Sequence, residues 1–280
     1  MLVFLGTQAL GAPADAGVRG KPDAGVSFPG LEAFSGGSIL KLEQQPEVYG
    51  FDVTIHSGML DNAAASRCTD LVSWAQWRQD IFSYGDSAAH FDNCAWDESL
   101  ALIQSLLAEV EQLIAEARLR KAAGKSYEWM YDDGLHALGR AVHGIEDFYS
   151  HTNFIELNKD AAKESELMKL ELWLPTARQA IEGLKTKGLV SGVYGGSNPK
   201  HCASNALTHE QLAKDNKKTA TGKRPFPANW ANGRNHHLVA LDVARDAGGR
   251  FLQYAFKRWP ELAQHCAPAM WHGVLFEERK

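Results

Sequence analysis

Between Asp132 and Glu156 the chain reads DDGLHALGRAVHGIEDFYSHTNFIE, and His136, Arg140, His143, Asp147 and His151 recur at steps of four, three, four and four. A helix places all five on one stripe. The stripe is expected to stand off the core, because Ala137, Val142, Ile145, Phe148 and Tyr149 take other faces of the same helix. His143, Asp147 and His151 then stack one turn apart. Two neutral imidazoles and a carboxylate on successive turns are the donors that a zinc ion or a zinc cluster takes. HxxxD alone arises by chance, so the rest of the chain must decide.

The chain has 280 residues, 45% of them hydrophobic, enough for one large folded domain with a proper core. Its net charge of −5 disfavours nucleic-acid binding through a basic surface. Eleven histidines and eight tryptophans are generous for this length, and the histidines fall in polar-aromatic clusters rather than in a run. No stretch of 18 apolar residues suggests a membrane-spanning helix. The first residues, MLVFLGTQALGAPADA, are apolar and end in small residues like a signal-peptide cleavage region, though without a positive start. Cys68, Cys94, Cys202 and Cys266 form no CxxC pair, which disfavours a cysteine zinc site and permits two disulfides. Together these features point to a secreted or periplasmic protein.

Along the chain, residues 1–50 read as a loose N-terminal segment rich in Gly, Pro and Ala, and 51–280 as one helical domain. A first helix over Val53–Ala65 would carry His56, and Asp70–Tyr84 reads as an irregular segment with Trp74, Trp77 and Phe82. The cleanest periodicity is Asp97–Ala123, where Leu100, Ile103, Leu106, Leu107, Val110, Leu113, Ile114 and Ala117 form one apolar stripe before Gly124. The metal-stripe helix begins at Met130 or Asp132, with Asp132 or Asp133 as its cap. Helical periodicity returns over Ala161–Leu172 and Thr176–Lys187, separated by Pro175. Gly188–Asn205 reads as loop with a short extended piece, Thr208–Asn216 as a short capped helix, and Asn235–Trp259 as a long closing helix. With no internal repeat and few strand signals, the fold class is all-α: a single multi-helix domain with a metal cluster in a cleft between helices.

Further histidines that could act as ligands are His56, His90, His209 and the pair His236 and His237. Ile55-His56, Asp70 ahead of His90-Phe91-Asp92, the His143-x3-Asp147-x3-His151 helix followed by Asn153-Phe154, and Thr208-His209 before Lys214-Asp215 resemble, in order and character, the zinc-dependent phospholipase C superfamily. The closest likeness is to its branch related to fungal Het-C proteins. The resemblance covers about residues 50–255, and HFDNC and LGRAVHGIEDFYSHTNFIEL are its specific parts. It implies a mostly helical fold holding two to three zinc ions. Asp70, His90, His143 and Asp147 would hold one, with Asp147 bridging towards a second near His56. His151 and His209 would hold the remaining zinc. The family's HxxxE requires an acid where Ala213 stands, so the carboxylate partner is Asp215, with His236 as competitor. The bacterial phospholipases also use their mature N-terminal residue as a ligand, whereas about fifty residues precede His56 here; Asp52 is a substitute.

The implied function is phosphodiester hydrolysis, releasing diacylglycerol and a phosphorylated head group from a phospholipid by attack of a zinc-activated water. Asp70 would orient or deprotonate that water. Glu146 and Glu156 would orient imidazoles or face solvent. Phe91, Trp96, Phe148, Tyr149 and Phe154 would line the cleft or fill the core. The expected partner is a phospholipid met by peripheral membrane contact, with no nucleic acid, although no amphipathic basic helix marks the contact surface. The alternatives are a nuclease of the same superfamily and a non-catalytic, zinc-stabilised interaction or toxin-like module.

Overall fold

The computed structural model describes residues 66–194, 202 and 206–266. The expected N-terminal segment over 1–50 and the expected helix over Val53–Ala65, with Asp52 and His56, lie outside the described residues. Within them the fold is all-α. The α-helices are α1 Ser66–Phe82, α2 Ser87–His90, α3 Trp96–Ala122, α4 Glu128–His151, α5 Phe154–Leu157, α6 Ala177–Lys185, α7 His209–Leu212, α8 His236–Arg258 and α9 Pro260–Cys266. Short 3-10 helices span Glu164–Lys169 and Asn229–Ala231. The described residues add three isolated β-bridges and no sheet. None of their helices is long and apolar enough to cross a membrane.

Helix α3 follows its sequence closely. Leu100, Ile103, Leu106, Leu107, Val110, Ile114 and Ala117 are all buried on one side. Each large aliphatic among them contributes roughly 1.5–3 kcal/mol on burial. Asp97 and Glu98 in the first turn and Arg120 and Lys121 in the last complement the helix dipole.

The bundle is built around α4, which packs against α1, α3 and α8. From Ala141 to His151 every residue of α4 is buried, polar ones included. The stripe therefore does not stand off the core over its inner half: it runs inward from exposed Arg140 to fully enclosed His143, Asp147 and His151. Three neighbours, rather than one, cover the helix, so no face is left for water. Glycines let the helices approach this closely. A Cβ on Gly139 would sit 2.5 Å from the Val72 carbonyl of α1, and one on Gly248 of α8 would sit 2.7 Å from Glu146 Oε1.

Two segments differ from their sequence reading. Asp70–Tyr84 lies not in an irregular stretch but mostly in the regular helix α1. That helix is apolar inward at Val72 and Ala75 and outward at Ile81 and Phe82, so one-sided periodicity never develops. Ala161–Leu172 keeps only the 3-10 helix Glu164–Lys169, in which Leu167 alone is buried. A single apolar anchor gives an α-helix no face to dock. The metal-stripe helix also starts earlier than expected, at Glu128 after Tyr127, without a side-chain cap. All four cysteines are paired, Cys68 with Cys266 and Cys94 with Cys202. Phe91, Trp96, Phe148, Tyr149 and Phe154 all lie in the core.

Candidate metal centre

Two groups of buried side chains meet where α4 passes α1, α2 and α7. Asp80, His90 and His143 form the first, and Asp92, His151 and His209 the second; within each, one donor atom per residue lies within 4.8 Å of the others. Both groups are chemically able to hold a metal ion.

In the first group, His90 Nε2 lies 3.2 Å from the Ser83 carbonyl oxygen. A carbonyl only accepts, so Nε2 carries the proton and the Nδ1 lone pair of the neutral ring points inward. There it meets Asp147 Oδ2 at 2.8 Å and His143 Nε2 at 3.0 Å. His143 Nε2 is itself 2.9 Å from Asp147 Oδ2 and 3.6 Å from Asp80 Oδ1. Lone pairs aimed at carboxylates repel unless a cation, proton or metal, stands between them. In the metal-free protein burial works against a proton on His90, but Asp147 outweighs it and raises the imidazole above its ordinary value.

The second group repeats this logic. His151 Nδ1 donates to the His90 carbonyl at 2.9 Å, which turns Nε2 towards Asp215 Oδ1 at 3.3 Å and Asp147 Oδ1 at 3.8 Å. His209 lies between two carboxylates, Nδ1 at 3.1 Å from Asp92 Oδ1 and Nε2 at 3.4 Å from Asp215 Oδ2. Burial alone would lower both imidazoles. The surrounding carboxylates win, Asp147, Asp92 and Asp215 raising His151 to about 9, and Asp215 and Asp92 raising His209 to about 11. Burial would push Asp215 up, yet His151 and His209 hold it well below the usual carboxylate range. Asp147 therefore faces both groups, Oδ2 towards the first and Oδ1 towards the second.

Local sequence explains the placement. Asp80 closes a buried polar ridge on α1 with Gln76 and Gln79, and Gln76 Nε2 donates to Glu146 Oε2 at 2.7 Å. Asp92 sits in a tight turn in which Phe91, Asn93 and Cys94 all take left-handed backbone conformations, with φ near 55° (54° to 56°), a conformation that costs each of these residues on the order of 1 kcal/mol. The turn is fastened by the Cys94–Cys202 disulfide, by Cys94 N–H donating to Ser191 Oγ, and by Asn93 N–H donating to the Gly192 carbonyl. Residues 191–194 strap this turn to α4 and α7: Gly192 N–H donates to the His151 carbonyl, and His209 N–H to the Val193 carbonyl. A Cβ on Gly192 would meet His209 Cα at 2.6 Å. Thr208 caps α7 through a reciprocal capping box with Gln211, which fixes His209 at the first helical position.

Of the residues expected at the site, His90, His143, Asp147, His151, His209 and Asp215 come together. Asp70 does not. It is exposed, and the carboxylate that α1 delivers is Asp80, ten residues or about 15 Å further along the helix. His236 also stays outside the two groups, with Nδ1 donating to the Arg224 carbonyl and Nε2 3.9 Å from Glu156. His56 lies outside the described residues. His136 packs on Trp74 at 5.1 Å and is lowered by burial. The sequence reading missed Asp80 and Asp92. Asp92 could have been found, since it stands in the quoted His90-Phe91-Asp92 triplet; Asp80 follows Gln76 by one turn among aromatics, and only the packing reveals its side of the helix.

Residues 65–173 are similar to the VWA7 N-terminal domain family. That span holds the whole first group together with Asp92, Asp147 and His151, while His209 and Asp215 fall beyond it. No curated protein and no solved structure matches the chain.

Proposed function

We propose that the protein is a zinc-dependent phosphodiester hydrolase of the phospholipase C kind. The observation that supports this reading is the pair of His/Asp groups turned towards one shared carboxylate, Asp147. Asp80, His90, His143 and Asp147 would hold one ion; Asp92, His151, His209 and Asp215 would hold another. Imidazole-carboxylate sets of this size suit zinc. When bound, such ions lower the pKa of water and neutralise charge building on a phosphodiester. The protein's own part is to keep the donors buried and fixed: the Ser83 and His90 carbonyls set the tautomers of His90 and His151.

A phospholipid substrate is favoured by the surface beside the cluster. Ile81, Phe82 and Tyr84 are exposed next to Ser83, the residue that orients His90, and Leu207 is exposed two residues before His209. Tyr194 links these two sides, with ring centroids 5.2 Å from Tyr84 and 5.4 Å from His209. Two disulfides fit the oxidising compartment expected for a secreted or periplasmic enzyme.

A second reading, a non-catalytic module that zinc stabilises, is favoured by the burial of all six grouped residues. Metal analysis of protein purified without chelator, beside hydrolysis of a chromogenic phosphocholine ester, separates the two. The enzyme reading expects two zinc ions per chain and chelator-sensitive hydrolysis. Bound zinc without hydrolysis of that ester or of phospholipid vesicles selects the structural module, and no uptake of metal after reconstitution overturns both.

A further inference from the structure

One charged residue inside the protein has no role in the chemistry above. Lys214 is completely buried, one residue before Asp215. Its ammonium donates to the Thr152 carbonyl at 2.6 Å and to the Leu212 carbonyl at 3.3 Å, and lies 3.4 Å from Glu156 Oε1. The two carbonyls and the lysine itself stand beside residues of the second group. Thr152 follows His151 directly at the end of α4, Leu212 ends the single turn of α7 that begins with His209, and Asp215 adjoins the lysine itself. The lysine backbone is held as firmly, its N–H by the Ser150 carbonyl and its carbonyl by His237 Nδ1 at 2.8 Å, while the Ser150 hydroxyl donates to Asp215 Oδ1.

We infer that Lys214 is the positioning residue of the second metal group: its ammonium ties the end of α4, which delivers His151, to the stretch 209–215, which delivers His209 and Asp215. The inference rests on the metal-centre reading above. An enclosed ammonium is an expensive way to fill space, and an apolar side chain of similar volume would pack there without desolvating a charge. What the ammonium supplies is geometry, because its three protons can reach two main-chain carbonyls and a carboxylate from two stretches of chain at once. No such brace is needed by the first group, whose residues sit on α1, α2 and α4, in direct helix-to-helix contact. These three ammonium contacts of Lys214 lie on the second group's side. The two groups therefore differ in what holds them, and removing the ammonium loosens one of them selectively.

The test is cobalt titration of the full chain, followed by its visible absorption, with Lys214→Met and Asp80→Asn beside the wild type. Wild-type protein is expected to take up two cobalt ions. Lys214→Met should bind one ion about 10- to 100-fold more weakly, the range for loss of a residue that orients ligands, and the other with a much smaller loss. Asp80→Asn should weaken the opposite ion, so that the two variants leave different absorption bands. Two ions bound normally by Lys214→Met would overturn the assignment, as would equal weakening of both ions. If Lys214→Met does not fold, Glu156→Gln keeps the ammonium and removes its countercharge; it should weaken the same ion by a smaller factor, and unchanged binding would overturn the assignment equally. Wild-type protein that takes up no cobalt removes the metal-centre reading and the positioning role with it.

Discussion

Asp147 is the residue on which the site turns, and its enclosure makes it sensitive. Either His143→Ala or Asp147→Ala should lower metal content and remove hydrolysis together, since several kcal/mol of charge stabilisation vanish with the lost ion. The loss of rate should be at least about 10²-fold, measured on the phosphocholine ester with metal content determined on the same samples. Asp80→Ala should behave the same way, whereas Asp70→Ala should leave metal and rate near wild type because its side chain is exposed. Normal metal and rate in Asp80→Ala would contradict the first group as assigned. Protons give an independent check. His151 and His209, at about 9 and about 11, carry protons at neutral pH in the metal-free protein, so zinc added to weakly buffered protein at pH 7 should release them. The sign for stability follows: these pKa values are raised, so their contribution is complete below the ordinary histidine value and is lost as pH rises through about 9 for His151 and about 11 for His209. Melting of the chelator-treated protein should accordingly fall on the alkaline side, and a melting temperature unchanged up to pH 10 would contradict the charge arrangement. At this scale the sequence was informative where spacing is local. The turn-by-turn series on α4 is readable directly. Asp80 was not, because which of two apolar-looking faces of α1 points inward is decided by Gly139 and the packing of α4.

Among the elements, α3, α4 and α8 were legible, having one continuous stripe, a motif and a capping asparagine respectively. Helix α1 was not, and the reason is its outward face. Trp74, Arg78 and Phe82 succeed one another by single turns, with the Arg78 guanidinium 4.7 Å over Trp74 and 5.2 Å from Phe82. This exposed apolar edge is the one the lipid reading uses. Replacing Ile81 and Phe82 together by serine should lower hydrolysis of phospholipid vesicles several-fold while leaving the soluble ester unaffected; equal loss on both substrates would count against an interfacial role. The inner side of α1 makes a different prediction. Gly139→Ala forces a methyl group against the Val72 carbonyl, and overpacking of this kind costs about 1–3 kcal/mol, to be read from the midpoint of denaturant unfolding.

Across the whole molecule, the two disulfides do different work. Cys68–Cys266 joins α1 to α9 across a separation of 198 residues, with Cys68 at the end of α1 opposite to Asp80. Its loss should lower stability by roughly 2–5 kcal/mol without changing metal content. Cys94–Cys202 fastens the turn that holds Asp92, so Cys94→Ser should lower both stability and the affinity of the second group. Neither pairing could be read from four scattered cysteines, since three pairings are possible and chain distance does not rank them. The all-α architecture itself was legible, because long one-sided periodicities leave little room for strands.

The two oxygens of Asp147 face different groups, and this has a thermodynamic consequence. A carboxylate turned to serve one ion is already turned for the other, so the affinities of the two sites are not independent quantities. Whatever factor occupancy of the first applies to the second, the second must apply to the first. A change made wholly within one group would therefore register, attenuated, at its neighbour, and the loading curve of the protein would follow a single linked isotherm rather than the sum of two separate ones.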